Sequence, residues 1–442
     1  MTLLEVIGVE NFIPQIKSSL TVYIAVTLVC FLSAIIVTLC NVLGPKSPDD
    51  EPKACQKLQL RSRSNLTDEH NERYSTPEQR GGDTTWSVKS LWVYPVKSCT
   101  GIELNGATVT GMGMEYDRKF CFAQLTGKFP ARLDDSKQEK GKHVWKFITQ
   151  RSIPAMARIK TEIWVPEPSS PTYSRAHPNV ESDGVLVIRF PSLTRNTGLL
   201  ARIWNTLTLS GRDTERIVHI PFNPSQKQIS AYRYTTEDME IWKDSPASLV
   251  MASTEGPGSW TQELRSYLGI TNHLALFRLS TQPREVYRCA PRRDQLGYQP
   301  TVGFQDAYPL HILNLASVHD VARNMVKGAP PLGARNFRPN IIVTGGEAYA
   351  EDSWKRIRIG NFEYYVACRT VRCLLPNVNP ATGVRHGSEP NRTLKSFRRI
   401  DEGDPNNACL GMQMVPALEG SKIEVGDKIT LLETGEHLYI KQ

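Results

Sequence analysis

Hydrophobic and polar positions divide the chain into three stretches. Between Lys17 and Lys46 no residue is charged, and an apolar run extends from Leu20 to Gly44. A spanning helix needs about 20 such residues. The pattern therefore predicts one transmembrane helix over residues 20–44, behind a short N-terminal segment, 1–19. A cleaved signal peptide is the rival reading, but its apolar stretch is only about 7–15 residues long behind a basic leader, and here Glu5 and Glu10 precede the run. Residues 45–85 are polar and lack hydrophobic periodicity, the composition of a disordered tether. From Trp86 onward the pattern changes to short runs of β-branched and aromatic residues.

Those runs predict strands at 90–96, 106–110, 119–124, 157–164, 184–190 and 205–209, and again at 340–344, 356–359 and 363–367. Two more, 422–425 and 428–432, flank Gly426-Asp427 and read as strands about a turn. Two helices are signalled. One opens on a capping-box pattern at Ser259–Gln262, carries Trp260, Leu264, Tyr267 and Leu268 on one face, and stops at Gly269. The other is expected from Ser317, with Val318, Val321, Ala322 and Met325 as its stripe and Gly328 as its stop. The fold class this predicts is α+β, mainly β: a β-barrel body with a few peripheral helices behind one N-terminal membrane helix.

Composition changes this picture little. Of 442 residues, 40% are hydrophobic and 22% charged, which excludes collagen, coiled coil and full-length disorder. Lys+Arg 53 against Asp+Glu 45 leaves a mild excess of +8, suited to an anionic ligand or surface but too small to argue nucleic-acid binding. Nine irregularly spaced cysteines favour reduced thiols and a cytosol-facing protein. Orientation follows from the flanks of the apolar run. Lys46, Lys53, Lys57, Arg61 and Arg63 follow it while only Lys17 precedes it, which places the body on the cytosolic side.

No phosphate-binding loop, His-Glu-x-x-His or Gly-x-Ser-x-Gly pattern is present. Cys368 and Cys373 are spaced Cys-x4-Cys without the second pair a zinc site needs. Arg369 and Arg372 accompany them, and nearby cations favour a thiolate, which is a nucleophile and a soft metal ligand. The competing reading makes both cysteines small strand hydrophobes.

An ordered set of motifs resembles a known family. Tyr94-Pro-Val-Lys-Ser-Cys99 and Tyr116-Asp-Arg118 resemble the N-terminal β-barrel region of MOSC proteins. Asn336-Phe-Arg-Pro-Asn340 with Ile341–Gly345, Ala350–Trp354, Val371-Arg-Cys373, Asn379–Gly383, Thr393–Phe397 and Val425-Gly-Asp427 resemble the MOSC domain itself. Order and spacing hold from about 86 to 435. The set most resembles the membrane-anchored, amidoxime-reducing members of that family. This suggests domains at 86–245 (N-terminal barrel region) and 246–442 (MOSC domain).

The resemblance implies a molybdenum cofactor, a metal held by the dithiolene of a phosphorylated pyranopterin. It implies Cys373 as the metal-ligating, catalytic cysteine and Arg372 as the basic residue before it. Lys97, Arg118 and Arg338 would meet the phosphate and the polar pterin, with solvated surface charge as their alternative. Ser98 and Asn340 would offer neutral hydrogen bonds. Ser317 would either present a helix N-terminus to an anion or merely cap the helix. The implied activity is reduction of N-hydroxylated compounds on a mitochondrial outer membrane, with the endoplasmic reticulum as alternative. The chain has no nicotinamide, flavin, haem or iron–sulfur motif, so electrons would come from a separate protein, and the resemblance suggests cytochrome b5 with its NADH-dependent reductase. Two other readings stay open: a sulfur carrier with a Cys373 persulfide, and a non-catalytic tethered binding module. Three departures stand out. The Cys368–Cys373 loop is longer than the family's Cys-x-Arg-Cys, Asn379 stands where Asp is usual, and Leu410-Gly411 replaces an aromatic-Gly pair. Insertions near 166–182 and 213–245 are expected to reshape the entrance.

Overall fold

The structure is a computed structural model that describes residues 22–24, 26–35, 51–76, 79–80, 83–127, 143–192, 215–254, 260–280 and 283–441. Every strand named below belongs to one compact unit, Pro52–Leu193 with Asp213–Gln442. Seven strands close into a ring in the order Ile341–Thr344, Leu310–Asn314, Ala408–Pro416, Phe362–Arg372, Trp354–Ile359, Lys428–Thr434, Trp86–Val93, and back to Ile341–Thr344. The strand Ile102–Leu104 extends the ring at Trp86–Val93. Closure removes the unpaired edges that an open sheet would expose.

Alternation explains the ring's two faces. Leu91, Ile312, Ile341, Val343, Met412 and Met414 enter the main core, where the Trp86 and Trp354 rings meet edge to face at 4.8 Å. Their neighbours Leu313 and Ile342 point the other way, onto Leu315, Val318 and Val321 of the helix Leu315–Asn324, and Leu410 joins them across Gly411, whose φ of 73° interrupts the alternation before Met412. That helix is the crossover between the ring's parallel pair, Leu310–Asn314 and Ile341–Thr344, a connection that a hairpin cannot make.

A second barrel of five strands is formed by Thr235–Glu240, Ala247–Ser253, Leu274–Leu279, Phe120–Thr126 and Val144–Phe147. Cys121, Ala123, Leu125, Ala275, Phe277 and Leu279 form its own core by strict alternation, while Phe122, Leu274 and Leu276 join the main one. A four-stranded sheet orders Cys55–Leu58, Lys160–Pro166, Val185–Pro191 and Glu215–Pro221.

Several expectations change. The strands at 106–110, 119–124, 184–190, 340–344, 356–359 and 363–367 are found within two residues at their starts, although the last runs on to Arg372. The strand expected at 205–209 lies outside the described residues. The boundary at 245/246 falls in the turn joining Thr235–Glu240 to Ala247–Ser253, which pair with each other, so it divides a barrel rather than two domains. The supposed insertion at 213–245 supplies a strand to the four-stranded sheet and one to the five-stranded barrel. The strands Ser421–Glu424 and Lys428–Thr434 do not form a hairpin: the first pairs with Gly106–Thr110, the second with Trp354–Ile359 and Trp86–Val93.

The polar stretch read as a tether is structured over residues 51–76. Cys55–Leu58 adds a strand to Lys160–Pro166, Leu66 is buried beside Trp92 and Tyr94, and the Asp68 carboxylate pairs with Lys89 at 2.9 Å. Its backbone pairing and scattered anchors carry no hydrophobic period, which is why composition misreads it. Residues 22–24 and 26–35 are helical and exposed. Among the described residues no helix is long and apolar enough to cross a membrane. The rest of the expected span lies outside them.

Candidate functional site

Four loops at the ends of ring and barrel strands converge, and side-chain to backbone bonds link them. The stretch after Trp86–Val93 is zipped to the loop before Phe120: the Arg118 amide donates to Tyr94 O (2.8 Å), the Lys97 amide to Phe120 O (2.8 Å) and the Phe120 amide to Pro95 O (3.0 Å). The buried Asp117 carboxylate accepts from the Tyr94 amide at 2.8 Å and holds the Arg118 guanidinium through both oxygens, at 2.8 and 2.7 Å. Arg118 Nη2 donates to Arg338 O (3.1 Å), and Arg338 Nη1 donates to Cys99 O (2.7 Å). Both guanidinium groups sit over the Tyr94 ring, 4.3 and 4.2 Å from its centre. Ser98, Arg118 and Arg338 all have left-handed backbones, φ 67°, 47° and 52°. Such strain in non-glycine residues gathers where function over-determines the backbone.

Arg372 ends the strand Phe362–Arg372, and its guanidinium is bound on every side. Nε donates to Leu410 O (2.8 Å), Nη1 to Phe337 O (3.3 Å), and Nη2 to Leu410 O and to His311 Nε2, the latter at 2.5 Å. A guanidinium only donates, so His311 accepts at Nε2 and carries its proton on Nδ1. Burial, with Arg372 and Arg118 nearby, pushes His311 far below its usual pKa and keeps it neutral. Gly411, at φ 73°, makes room for that ring, since a Cβ there would lie 2.7 Å from His311 Nε2. Cys373 follows at once. It is exposed, and its sulfur accepts the Leu375 amide at 3.4 Å. The next loop is fastened by Asn336, whose Nδ2 donates to Pro376 O at 3.0 Å.

Lys97 is buried and donates to Phe304 O (2.7 Å) and Asp306 Oδ1 (2.5 Å); burial pulls its pKa down while Asp306 pushes it back up. Burial likewise lowers Arg338 to about 10 and Arg372 to about 9. Lys97, Arg118, Arg338 and Arg372 face two carboxylates in this network, Asp117 and Asp306. Arg338 Nη2 is buried with no hydrogen-bond partner, a deficit of about 1–3 kcal/mol or more for a charged donor. The site is thus cationic, pre-formed and short of one acceptor.

Not every expected residue joins it. Asn340 is engaged between strands, donating to Trp92 O (3.2 Å) and accepting the His311 amide (3.2 Å). The helix expected from Ser317 starts at Leu315, and Asn314 is its cap, with Oδ1 accepting the Ala316 amide. Ser317 donates to Glu351 Oε1 (2.8 Å) and accepts the Tyr349 amide (2.8 Å), so its hydroxyl is already engaged. Arg369 faces Asp401 at 3.2 Å, and burial pushes the Cys368 thiol well above its usual range. The flanking cations therefore do not make Cys368 a thiolate. Asn379 caps its own turn, its Oδ1 accepting the amides of Ala381 and Thr382, an acceptor role a carboxamide fills as well as a carboxylate.

The Glu351 carboxyl beneath Ser317 has a consequence for stability. Burial, reinforced by Asp352, raises it from 4.5 to about 7, against the bonds from Ser317 and Asn314. The folded state then binds the proton more tightly than the unfolded state, so this group's contribution to stability falls as pH rises from about 4.5 to about 7. Glu351→Gln is expected to flatten that part of the profile, by roughly 3 kcal/mol at most. Melting temperatures from pH 5 to pH 8 read it directly, and parallel profiles for the two proteins would refute the assignment.

Comparison with known proteins bears on this site. The MOSC N-terminal beta barrel domain matches residues 85–195 and the MOSC domain matches residues 299–430. Over 351 residues the chain is 30% identical to mitochondrial amidoxime-reducing component 1 of Mus musculus, which covers 78% of this chain and 82% of that one. The chain belongs to the MOSC-domain family. The human component 1 is 27% identical over 351 residues, covering 78% of this chain and 83% of its own. Molybdenum cofactor sulfurase of Arabidopsis thaliana is 24% identical over 321 residues, 71% of this chain but 31% of that protein. In this MOSC protein, Lys97, Ser98 and Arg118 come from the N-terminal barrel match, and Arg338, Asn340, Arg372 and Cys373 from the MOSC match. Sequence reasoning passed over Asp117 and His311. Asp117 lies within the Tyr116-Asp-Arg118 motif, where a carboxylate beside Arg118 is the signal that marks it. His311, inside an apolar strand, gave no signal.

Proposed function

We propose that this MOSC protein is a molybdenum-cofactor-dependent oxidoreductase that reduces N-hydroxylated compounds such as amidoximes and hydroxylamines. The observation that carries the proposal is the unpartnered, buried Arg338 Nη2 within a cluster of four cations that ends at an exposed thiol. A phosphate-bearing pterin offers the acceptors this cluster lacks, so the residues fit the cofactor. The relatives named amidoxime-reducing components supply the substrate class. When bound, the cofactor would supply the two-electron chemistry. The chain's own part is to bind and orient. Arg338, Arg118 and Lys97 neutralise an anion, Arg372 locks the end of its strand to Leu410 O and Phe337 O, and Cys373 is presented as a soft ligand.

We further infer an anchored, mitochondrial protein, supported by the uncharged run between Lys17 and Lys46 and by the relatives' mitochondrial names. Reducing equivalents would come from a separate protein such as cytochrome b5 with its NADH-dependent reductase. A second reading, sulfur transfer through a Cys373 persulfide, draws on the sulfurase likeness and the exposed thiol. Metal and sulfur analysis of the purified chain, with benzamidoxime turnover, separates the readings. Molybdenum near one per chain and NADH-driven turnover only with cytochrome b5 and its reductase are expected. Sulfane sulfur without metal would favour the carrier, neither would leave a binding module, and turnover with NADH alone would remove the separate donor.

A further inference from the structure

A second pair of thiols lies apart from this site. Cys368 is fully buried in the strand Phe362–Arg372, in a cluster with Val286, Tyr308 and Val415. Cys289 sits in the irregular segment between Arg284–Glu285 and the short helix Arg293–Leu296, half-buried and with a left-handed backbone at φ 56°. Its side chain packs against the cluster that holds Cys368, and the neighbouring Cys368 thiol is the largest influence that lowers its pKa. The C-terminal segment closes the other side, where the Ile440 amide donates to Cys289 Sγ at 3.2 Å and Leu438 O lies 3.5 Å from it.

This geometry makes the pair asymmetric. Donors around a sulfur favour its thiolate. The Cys368 thiol first, and then the Ile440 amide, draw Cys289 down to about 6 against the opposing effect of burial. Burial keeps Cys368 protonated. Cys289 is thus half-buried and drawn toward the thiolate, while Cys368 is shielded within the cluster against which Cys289 packs. Among the described residues no third histidine, cysteine, aspartate or glutamate completes a metal site here.

We propose that Cys289 and Cys368 form a thiol–disulfide exchange site, in which Cys289 attacks a small disulfide and Cys368 resolves the product. In the first step the Cys289 thiolate forms a bond to one sulfur of the small disulfide, whose own S–S bond breaks and releases a thiolate. In the second, Cys368 attacks the Cys289 sulfur, the mixed disulfide breaks, and the second small thiolate leaves with the Cys368 proton. Two protein thiols are oxidised and one small disulfide is reduced to two thiols. The new bond ties the segment bearing Cys289 to the strand that ends in Arg372 and Cys373.

The test uses the full chain and oxidised glutathione at neutral pH, followed by alkylation, digestion and peptide mass mapping. A Cys289–Cys368 cross-linked peptide that dithiothreitol reverses is expected. It should be absent in Cys289→Ser, and in Cys368→Ala the reaction should stop at glutathionylated Cys289. The rate of Cys289 modification should fall as pH drops through about 6. A glutathionyl group that persists on wild-type Cys289 without cross-linking would overturn the proposal. So would an unmodified Cys289 in a sample whose exposed Cys373 has reacted.

Discussion

Cys373→Ser is expected to abolish benzamidoxime reduction while the cofactor-free protein melts where the cofactor-free wild type does. The two halves of that result rest on different observations. The activity half follows from chemistry: a serine hydroxyl is hard and poorly ionised where the proposed cofactor needs a soft thiolate. Even outer partners of metal ligands cost 10–100-fold when changed, so loss of the ligand itself should cost at least about 100-fold. The stability half follows from exposure. Cys373 is solvent-exposed and accepts only the Leu375 amide, an acceptor role that a serine oxygen keeps, so the change should stay within about 0.5 kcal/mol. Cys368→Ser should behave in the opposite way. Cys368 is fully buried among apolar neighbours, and a hydroxyl there costs on the order of 1–3 kcal/mol with turnover per folded molecule preserved. Measuring specific activity, molybdenum content and melting temperature for both variants gives a crossed pattern. Full specific activity in folded Cys373→Ser would end the ligand assignment.

What could be read in advance depended on how local its cause was. The strands Gly106–Thr110, Phe120–Thr126 and Val185–Pro191 announced themselves because burial leaves a local pattern in the sequence, here short runs rich in β-branched and aromatic residues. The helix Trp260–Tyr267 did so for the same reason, at the helical period. Ring closure had no such trace. The pairing of Ile341–Thr344 with Trp86–Val93 joins residues some 250 positions apart, and nothing within either strand specifies the partner. The segment at 51–76 failed for the converse reason. Its order comes from pairing with Lys160–Pro166 and from single contacts such as the Glu69 carboxylate accepting the Ala334 amide at 2.9 Å, and composition cannot anticipate such contacts.

The site shows the same division. Lys97, Arg118, Arg338, Arg372 and Cys373 were legible because each stands in a short motif. Three are joined by a traceable run of hydrogen bonds, Arg118 to Arg338 O, Arg338 to Cys99 O and Arg372 to Phe337 O, while Lys97, in the same loop as Cys99, bonds instead to Phe304 O and Asp306. Ser317 also stood in a recognisable position, at the start of a helix. There the capping role fell to Asn314, three residues earlier, and Ser317 became a partner of buried Glu351. Motif position alone could not distinguish these cases; the difference lies in whether the side chain's hydrogen-bonding capacity is already engaged.

That criterion singles out Arg338, whose Nη2 alone among the guanidinium nitrogens of the cluster is buried and unpaired. Arg338→Met is expected to lower one readout and leave another unchanged. In cofactor-free protein the exchange removes a buried cation one of whose nitrogens lacks an acceptor, and replacing such a charge with an apolar side chain of similar length is often neutral or stabilising. The lost bond to Cys99 O and the lost stacking on Tyr94 offset part of that gain, so the net change should lie within about 1 kcal/mol. In loaded protein a charge-assisted hydrogen bond to the anion disappears, worth about 1.5–3 kcal/mol, and retention of molybdenum should fall roughly 10–100-fold. The melting temperature of the loaded wild type should then exceed that of the variant, while the two cofactor-free proteins melt together. A purely structural Arg338 predicts the reverse: the variant melts several degrees lower with or without cofactor, and the folded fraction keeps its molybdenum. Chelation and reconstitution of both proteins, with metal content and melting read on the same samples, decides between them.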